Sequence, residues 1–296
     1  MSWWRFSRRE AVTARLAAPV DRPAVAALLA NTWRRHGTLA VEEQIALLNS
    51  GVSTVAFVRD AVVGFLGLFR RVPTGDPAER WVDVMLLATS ADRPAGPIVR
   101  ALLEPPLPAL RAWGASGLVC LASDGWLQDA TRDAGFAEAD QVISYVRANR
   151  NTLPVASPVA TLRSAGPVDA DALLRLNAAA FAPLWRYDPA KMLNWLLTSD
   201  HTMLAEVDGR PVGFALTTLN ALGEYSQLIR VAVHPAAQRR GIGRQMVTDA
   251  VLFAHESDAP GTALNTQASN TTSRHLYETL GFQRTGPSVK VMVRAL

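Results

Sequence analysis

Two short segments carry residues whose types and spacing suit chemistry. The first runs Val231-Ala232-Val233-His234-Pro235-Ala236-Ala237-Gln238-Arg239-Arg240-Gly241-Ile242-Gly243-Arg244. An apolar strand stops at a proline, and a turn containing glycine opens directly into a helical pattern. That geometry aims backbone N–H groups and the positive end of a helix dipole at one point, which suits a phosphate. Gly241 and Gly243 let the backbone approach a pyrophosphate with no Cβ in the way, and Arg239, Arg240 and Arg244 surround it with charge. The second segment is Asn270 to Phe282. Asn270 and Tyr277 stand two helical turns apart on nearly one face, with Ser273 between them on that side. Leu276 and Leu280 form an i, i+4 core pair, and Gly281 suits the position just past the helix end. Taken alone, this second segment reads equally as a capped helix with a half-buried tyrosine.

Together the two segments resemble the GNAT superfamily of acyltransferases. Gln238-Arg239-Arg240-Gly241-Ile242-Gly243 looks like the family's Q/R-x-x-G-x-G/A acyl-CoA loop, and Asn270 to Phe282 looks like its N-x(6)-Y-x-x-x-G-F helix. The resemblance implies acetyl-CoA as cosubstrate and no metal. It puts the pyrophosphate on Gln238, Arg239, Arg240, Gly241, Ile242, Gly243 and Arg244. It pairs the pantetheine arm with the main chain of Val231, Ala232 and Val233, beside Asn270 and Ser273, and makes Tyr277 the acid that reprotonates the CoA thiolate.

An acceptor amine must be neutral to attack, although a free alkyl ammonium has a pKa of about 10.4. Glu224, near the start of the same strand, is the candidate base. It reads as readily as a solvated turn residue, and the resemblance to ribosomal-protein alanine acetyltransferases, which carry a glutamate within a residue of this place, meets Tyr225 here. Phe181 to Tyr187 is either one wall of an acceptor pocket or ordinary packing, with Asn220 to Glu224 as the opposite wall.

The elements that must hold these segments appear twice. In the second half, strands near Val159–Arg163, Thr202–Val207, Val212–Thr218, Gln227–Val233, Thr262–Thr266 and Ser288–Val293 alternate with helices. The helices are Asp169–Phe181, Pro189–Leu197, Gly241–His255 and Asn270–Leu280, and Asp208-Gly209-Arg210 marks a hairpin. The first half repeats the order with strands near Val12–Leu16, Thr54–Val58, Val62–Phe69, Val82–Leu87, Leu118–Ala122 and Gln141–Val146. Its helices are Ala24–Ala30, Val41–Leu48, one within Ile98–Trp113, and Trp126–Ala134. A polar stretch with two prolines separates the halves, giving domains 1–150 and 159–296 with a linker at 151–158. The fold class is therefore α/β of the α+β kind: two tandem GNAT-like domains, each a mixed, largely antiparallel sheet flanked by helices.

The first half lacks the phosphate turn. Arg93-Pro94-Ala95-Gly96-Pro97 keeps one glycine, and its two prolines delete N–H donors. Ala134-Gly135-Phe136 echoes Leu280-Gly281-Phe282 with no tyrosine before it. This half reads as degenerate.

Composition narrows the function classes. The balance of 30 Lys+Arg against 26 Asp+Glu leaves +4, without the dense basic stripe of a nucleic-acid binder. Cys120 is the only cysteine, so an intrachain disulfide and a cysteine-based zinc site are excluded. Neither a signal-peptide core nor an apolar run of about 18 residues occurs, so a cytoplasmic protein with no membrane partner is expected. The expected activity is acetyl transfer from acetyl-CoA to a primary amine of a small molecule or a protein N-terminus, by direct attack, in a monomer or homodimer. Within the superfamily, the tandem layout resembles mycothiol synthase, and the C-terminal motifs equally resemble protein N-terminal acetyltransferases. The alternative from another class is an acyl-CoA sensor without turnover.

Overall fold

The computed structural model describes residues 11–37, 41–73, 75–149, 155–220 and 225–296. Two compact units account for it: Met1–Arg71 with Arg80–Ala139 and Val289–Leu296, and Val72–Glu79 with Asp140–Ser288.

The first half of the chain contains β1 (Thr13–Leu16), α1 (Arg22–Asn31), β2 (Arg35–His36), α2 (Val41–Leu48), β3 (Thr54–Val58) and β4 (Ala61–Arg70). It continues with β5 (Trp81–Thr89), α3 (Ala95–Leu103), α4 (Leu107–Ala112), β6 (Gly117–Ala122), α5 (Gly125–Asp133) and β7 (Ala137–Ala148). The second half contains β8 (Thr161–Ser164), α6 (Ala170–Ala180), α7 (Pro189–Thr198), β9 (His201–Val207), β10 (Arg210–Leu219) and β11 (Ser226–Val233). It ends with α8 (Ile242–Glu256), β12 (Gly261–Gln267), α9 (Thr271–Thr279) and β13 (Gln283–Ala295).

In the first unit the strand order is β1-β3-β4-β5-β6, closed by Lys290–Ala295 of β13 running antiparallel to β6. Among the described strands of this unit, only β5 and β6 are parallel. Leu66, Leu68, Val82, Ile98, Leu102, Leu118 and Met292 fill its core. In the second unit the order is β7-β12-β11-β10-β9-β8, and among its described strands only β11 and β12 are parallel. Tyr145, Leu228, Met246, Val251, Leu264 and Phe282 pack on one side, and Leu173, Leu176, Met192, Leu204, Phe214 and Leu216 form a second cluster.

A division at 151–158 separates the sequence halves, whereas the compact units exchange pieces across it. Residues from Asp140 onward in β7 join the second unit, and Val289–Leu296 in β13 joins the first. The reason lies in strand edges. In each half the β-α-β passage leaves a central strand, β6 or β12, with a backbone edge that must find partners. The last long strand of the opposite half supplies them, with seven residue pairs in the case of β7 and β12.

Local chemistry explains the element ends. Pro105 and Pro106 have no N–H to donate, so the helical stretch within Ile98–Trp113 is two helices, α3 and α4. β8 begins at Thr161 because the N–H groups of Val159 and Ala160 are taken by Gln245 Oε1, at 2.9 and 3.0 Å. The β9–β10 hairpin turns on Asp208 and Gly209, both in the left-handed region. Asp188 caps α7 by accepting from Lys191 N at 2.8 Å. The two-residue strand β2 carries no apolar alternation and is not apparent in the sequence pattern.

Candidate active site

The second unit's site begins with a parting of strands. β11 pairs with β12 only over Ser226–Leu228 against Thr262–Leu264. Beyond that, β12 continues to Gln267 on β7, while β11 continues to Val233 on β10 alone. A bulge at Ile229, between the Leu216–Arg230 and Thr217–Leu228 pairs, helps turn β11 away. One backbone edge of residues 231–233 is thus left without a strand partner among the described residues. An extended ligand can add to such an edge as a strand does.

This edge leads into the turn before α8. Arg239 and Gly241 are left-handed, at φ 63° and 87°, and Gly241 is the residue that caps α8. The first intrahelical bond runs from Gln245 N to Gly241 O at 3.0 Å, so the N–H groups before it face out of the helix start. Gln238 braces the end of the strand, its Nε2 donating to Val233 O at 3.0 Å. A groove of about 510 Å³ runs along the edge and the turn, and Gln238, Arg239, Gly241, Ile242, Gly243 and Arg244 all line it. Arg240 is exposed and does not line it.

The facing wall is α9. Asn270 accepts from Ser273 N at 3.2 Å, which caps the helix with its oxygen, and the residue lines the groove. Tyr277 lies buried at the groove, its ring 6.2 Å from Tyr145 and 5.9 Å from Phe282. Burial pushes its phenol up to about 12, and a hydrogen bond with the Ser273 side chain pulls the other way. The phenol therefore keeps its proton and is a hydrogen-bond donor across ordinary pH. Val231, Ala232, Val233, Asn270, Ser273 and Tyr277 are brought to one groove. Glu224 and the wall segment 221–224 lie outside the described residues.

Several residues that sequence reasoning passed over support this geometry. Tyr145 packs on Tyr277 and donates to Glu278 Oε1 at 2.8 Å. Arg147 is buried and donates from Nε to Leu280 O at 2.9 Å, tying down the end of α9. Both come from β7, which the sequence assigns to the other half. Arg230 lines the groove with its guanidinium between the rings of Phe181 and Tyr187.

The Acetyltransferase (GNAT) family model matches residues 170–282, which spans both walls of this groove. The mycothiol acetyltransferase of Streptomyces avermitilis is 28% identical over 297 residues, covering 94% of each chain. That of Acidimicrobium ferrooxidans is 28% identical, covering 83% of this chain and 85% of its own. Among solved structures, a tandem GNAT protein from the clavulanic acid biosynthesis pathway superposes with TM-score 0.61 at 16% identity, covering 96% of this chain and 98% of that one. A GCN5-related N-acetyltransferase from Sphaerobacter thermophilus gives 0.63 at 17%, covering 96% and 95%. Residues 170–282 thus match a GNAT acetyltransferase domain, and the chain is similar to mycothiol acetyltransferases, and in fold to tandem GNAT proteins, over most of its length.

The two GNAT-like units differ at the corresponding edge. In the first, β5 leaves β6 after Asp83, and a bulge at Met85 repeats the one at Ile229. Gly64–Thr89 and Gly213–Val233 are equivalent pairs, so Leu87 and Ala88 correspond to Val231 and Ala232. There the edge is closed by the chain itself: β2 pairs Arg35 with Ala88 and His36 with Leu87. Thr89 N donates to Arg34 O at 3.1 Å, and Thr32 Oγ1 donates to Thr89 O at 2.7 Å. At the start of α3, the carboxylate of Asp133 packs so closely on Gly96 that a Cβ there would collide with it. The degenerate GNAT-like unit thus places its own strand and its own anion where the other unit has an open edge and a bare helix start.

No helix among the described residues is long and apolar enough to cross a membrane. The Cys120 thiol is buried and pushed up to about 12, which makes it a poor nucleophile.

Proposed function

We propose that the second half of the chain, 159–296 together with the strand Asp140–Ala148, moves an acetyl group from acetyl-CoA to the primary amine of a small aminothiol by direct attack. The observation that carries this reading is the parting of β11 from β12 at Leu228, which opens onto the left-handed turn and the start of α8. Pantetheine adds to the edge of Val231–Val233 as an extra strand. The pyrophosphate sits at the N–H groups around Gly241–Gly243, with Arg239 and Arg244 as charge partners. Asn270 contributes its amide nitrogen to the pantetheine, and Ser273 holds the Tyr277 hydroxyl.

The amine attacks the thioester carbonyl, the C–S bond breaks, and the sulfur leaves as thiolate. Tyr277 donates a hydrogen bond to that sulfur. Because its phenol lies at about 12, above a thiol near 8.5, any proton it passes to the sulfur must be replaced by the one the nitrogen releases, relayed through its first acceptor, so that no phenolate persists. Glu224 is the proposed acceptor of that nitrogen's proton. An acyl-enzyme on Cys120 is disfavoured by the thiol's burial. An aminothiol is favoured over a protein N-terminus because the mycothiol acetyltransferases align over nearly the whole chain.

The test is thiol release from acetyl-CoA with cysteamine, glucosamine and an alanine-initiated peptide. Release above the water background with cysteamine and not with the peptide supports the reading. Binding of acetyl-CoA with no release for any amine favours a sensor.

A further inference from the structure

We propose that the turn Asp76–Glu79, between β4 and β5, is part of the acceptor site, and that Glu79 is a positioning residue for the wall formed by Phe181 and Arg230. The proposal rests on the acetyl transfer proposed above and takes its wall from the groove itself, which Phe181 and Arg230 line.

The connection belongs to the second compact unit although the strands on either side of it belong to the first. It closes in a 3-10 turn, Pro77–Glu79, fixed by Ala78 N donating to Asp76 Oδ1 at 2.9 Å. The Glu79 side chain is only 7% exposed, and it accepts from Arg186 Nη1 at 2.8 Å. Asp76 Oδ2 lies 3.1 Å from the same nitrogen. Arg186 in turn donates from Nε to Phe181 O at 2.9 Å, so one guanidinium ties the acidic turn to the first residue of the wall.

The wall needs such a tie. Residues 181–186 contain one 3-10 turn, Pro183–Trp185, and belong to no helix or strand ladder. Asn177 holds Tyr187 from behind, at 3.2 Å to its carbonyl. The remainder is held at Phe181 O by Arg186 and at Trp185 O by Arg230 Nη2, at 2.6 Å. Arg230 itself sits 3.7 Å from the Phe181 ring centroid and 3.8 Å from that of Tyr187, and with Phe181 it lines the groove. A planar guanidinium between two rings is oriented by them. Moving Phe181 therefore moves the cation that the acceptor meets. A charge-assisted bond from a nearly buried carboxylate is strong enough to set that position. Through this turn the degenerate half takes part in acceptor recognition without a CoA site of its own.

The full-length Glu79→Gln chain is compared with wild type by amide hydrogen exchange on peptides covering 181–187 and 238–244. Its kinetics are compared at saturating acetyl-CoA with cysteamine, or with whichever amine of the panel releases thiol. Glutamine keeps the shape and a hydrogen-bond acceptor, so the turn is retained. Exchange at 181–187 should rise at least about five-fold with 238–244 unchanged. KM for the amine should rise about ten-fold, with kcat and the acetyl-CoA KM within about two-fold of wild type. Glu79→Asp, which keeps the charge, should recover part of the amine KM. Unchanged exchange at 181–187, or raised exchange with an unchanged amine KM, overturns the proposal. If the wild type acetylates no amine of the panel, the acceptor wall falls with it. Protection of 238–244 by acetyl-CoA would then still support the cofactor reading separately.

Discussion

His36 is bridged to Leu87 on the edge of β5 that corresponds to the open edge of β11 at Val231. An internal strand and an added ligand strand compete for the same backbone groups, and the internal one has already met its ordering cost on folding. With Asp133 packed at the start of α3, an arriving phosphate would also meet a carboxylate. Calorimetric titration with CoA should therefore give a stoichiometry near one per chain. A value near two would show that the bridge opens to admit ligand.

Gly241→Val should take that stoichiometry to zero while the chain still folds. A Cβ at Gly241 meets only Val159, at 3.5 Å, which is ordinary contact. The obstacle is φ of 87°, which costs a β-branched residue about 1–3 kcal/mol and favours a rearranged turn. A native-like melting transition that no longer shifts with acetyl-CoA is the expected result. A shift equal to that of wild type would remove the phosphate assignment.

Tyr277→Phe should slow turnover about 10²-fold with CoA affinity kept, the usual scale for losing a positioned proton donor. The raised phenol adds a pH signature. With its pKa near 12, Tyr277 is protonated throughout the range from pH 6 to about 10, so no falling limb there belongs to it. The profile of log kcat/KM against pH should then have the same shape in both proteins, displaced downward in the variant. A falling limb below about pH 10 that vanishes with Tyr277→Phe would show that the phenol titrates early when CoA is bound.

The chemistry-bearing residues were more legible than their supports. Gly241, Gly243, Asn270 and Tyr277 announce themselves because a left-handed turn, a close backbone approach and a helix face each restrict the residue type locally. Tyr145 and Arg147 gave no such signal, since an alternating strand with a tyrosine and an arginine fits any half-buried edge. Their role depends on β7 crossing into the other unit, a non-local pairing that no window of sequence contains. Arg240 looked like its neighbours Arg239 and Arg244, and only the turn's geometry turns it away from the groove. β2 was missed because two residues have no period. One local device was readable in retrospect: Arg15 with Asp21 and Arg163 with Asp169 share the spacing R-x(5)-D and the tripeptide Pro-Val-Asp.

That device gives a pH prediction. Asp169 accepts from Arg163 at 2.8 and 3.0 Å and from Gly166 N at 3.0 Å, and these bonds hold its carboxyl below the usual range. A depressed carboxyl contributes stability that is present above the unfolded value of about 3.9 and is lost as pH falls through the folded one. Asp169→Asn should therefore cost roughly 1–2 kcal/mol at pH 7, and the gap in Tm to wild type should narrow below about pH 4. A gap that stays constant down to pH 3 would mean that the asparagine loses shape complementarity, not charge.

The fragment 159–296 should neither fold to the native second unit nor bind CoA, whereas a fragment beginning at Asp140 should do better on both counts. The first fragment lacks β7, which pairs with all seven residues of β12 from Gly261 to Gln267. It leaves that edge bare beside the groove and removes Ile143 and Tyr145 from the core around Tyr277. Burial of those two side chains contributes roughly 3–6 kcal/mol. That is comparable with the whole stability of a typical domain, about 5–15 kcal/mol, before the ladder bonds are considered. The fragment also loses the Arg147 tie to Leu280 O and the Asp140 contact to Ser269, which hold the two ends of the α9 segment. Circular dichroism and an acetyl-CoA melting shift on the two fragments decide the matter. If 159–296 melts cooperatively and responds to acetyl-CoA as the longer fragment does, strand β7 is dispensable, and Tyr145 plays no part in holding Tyr277.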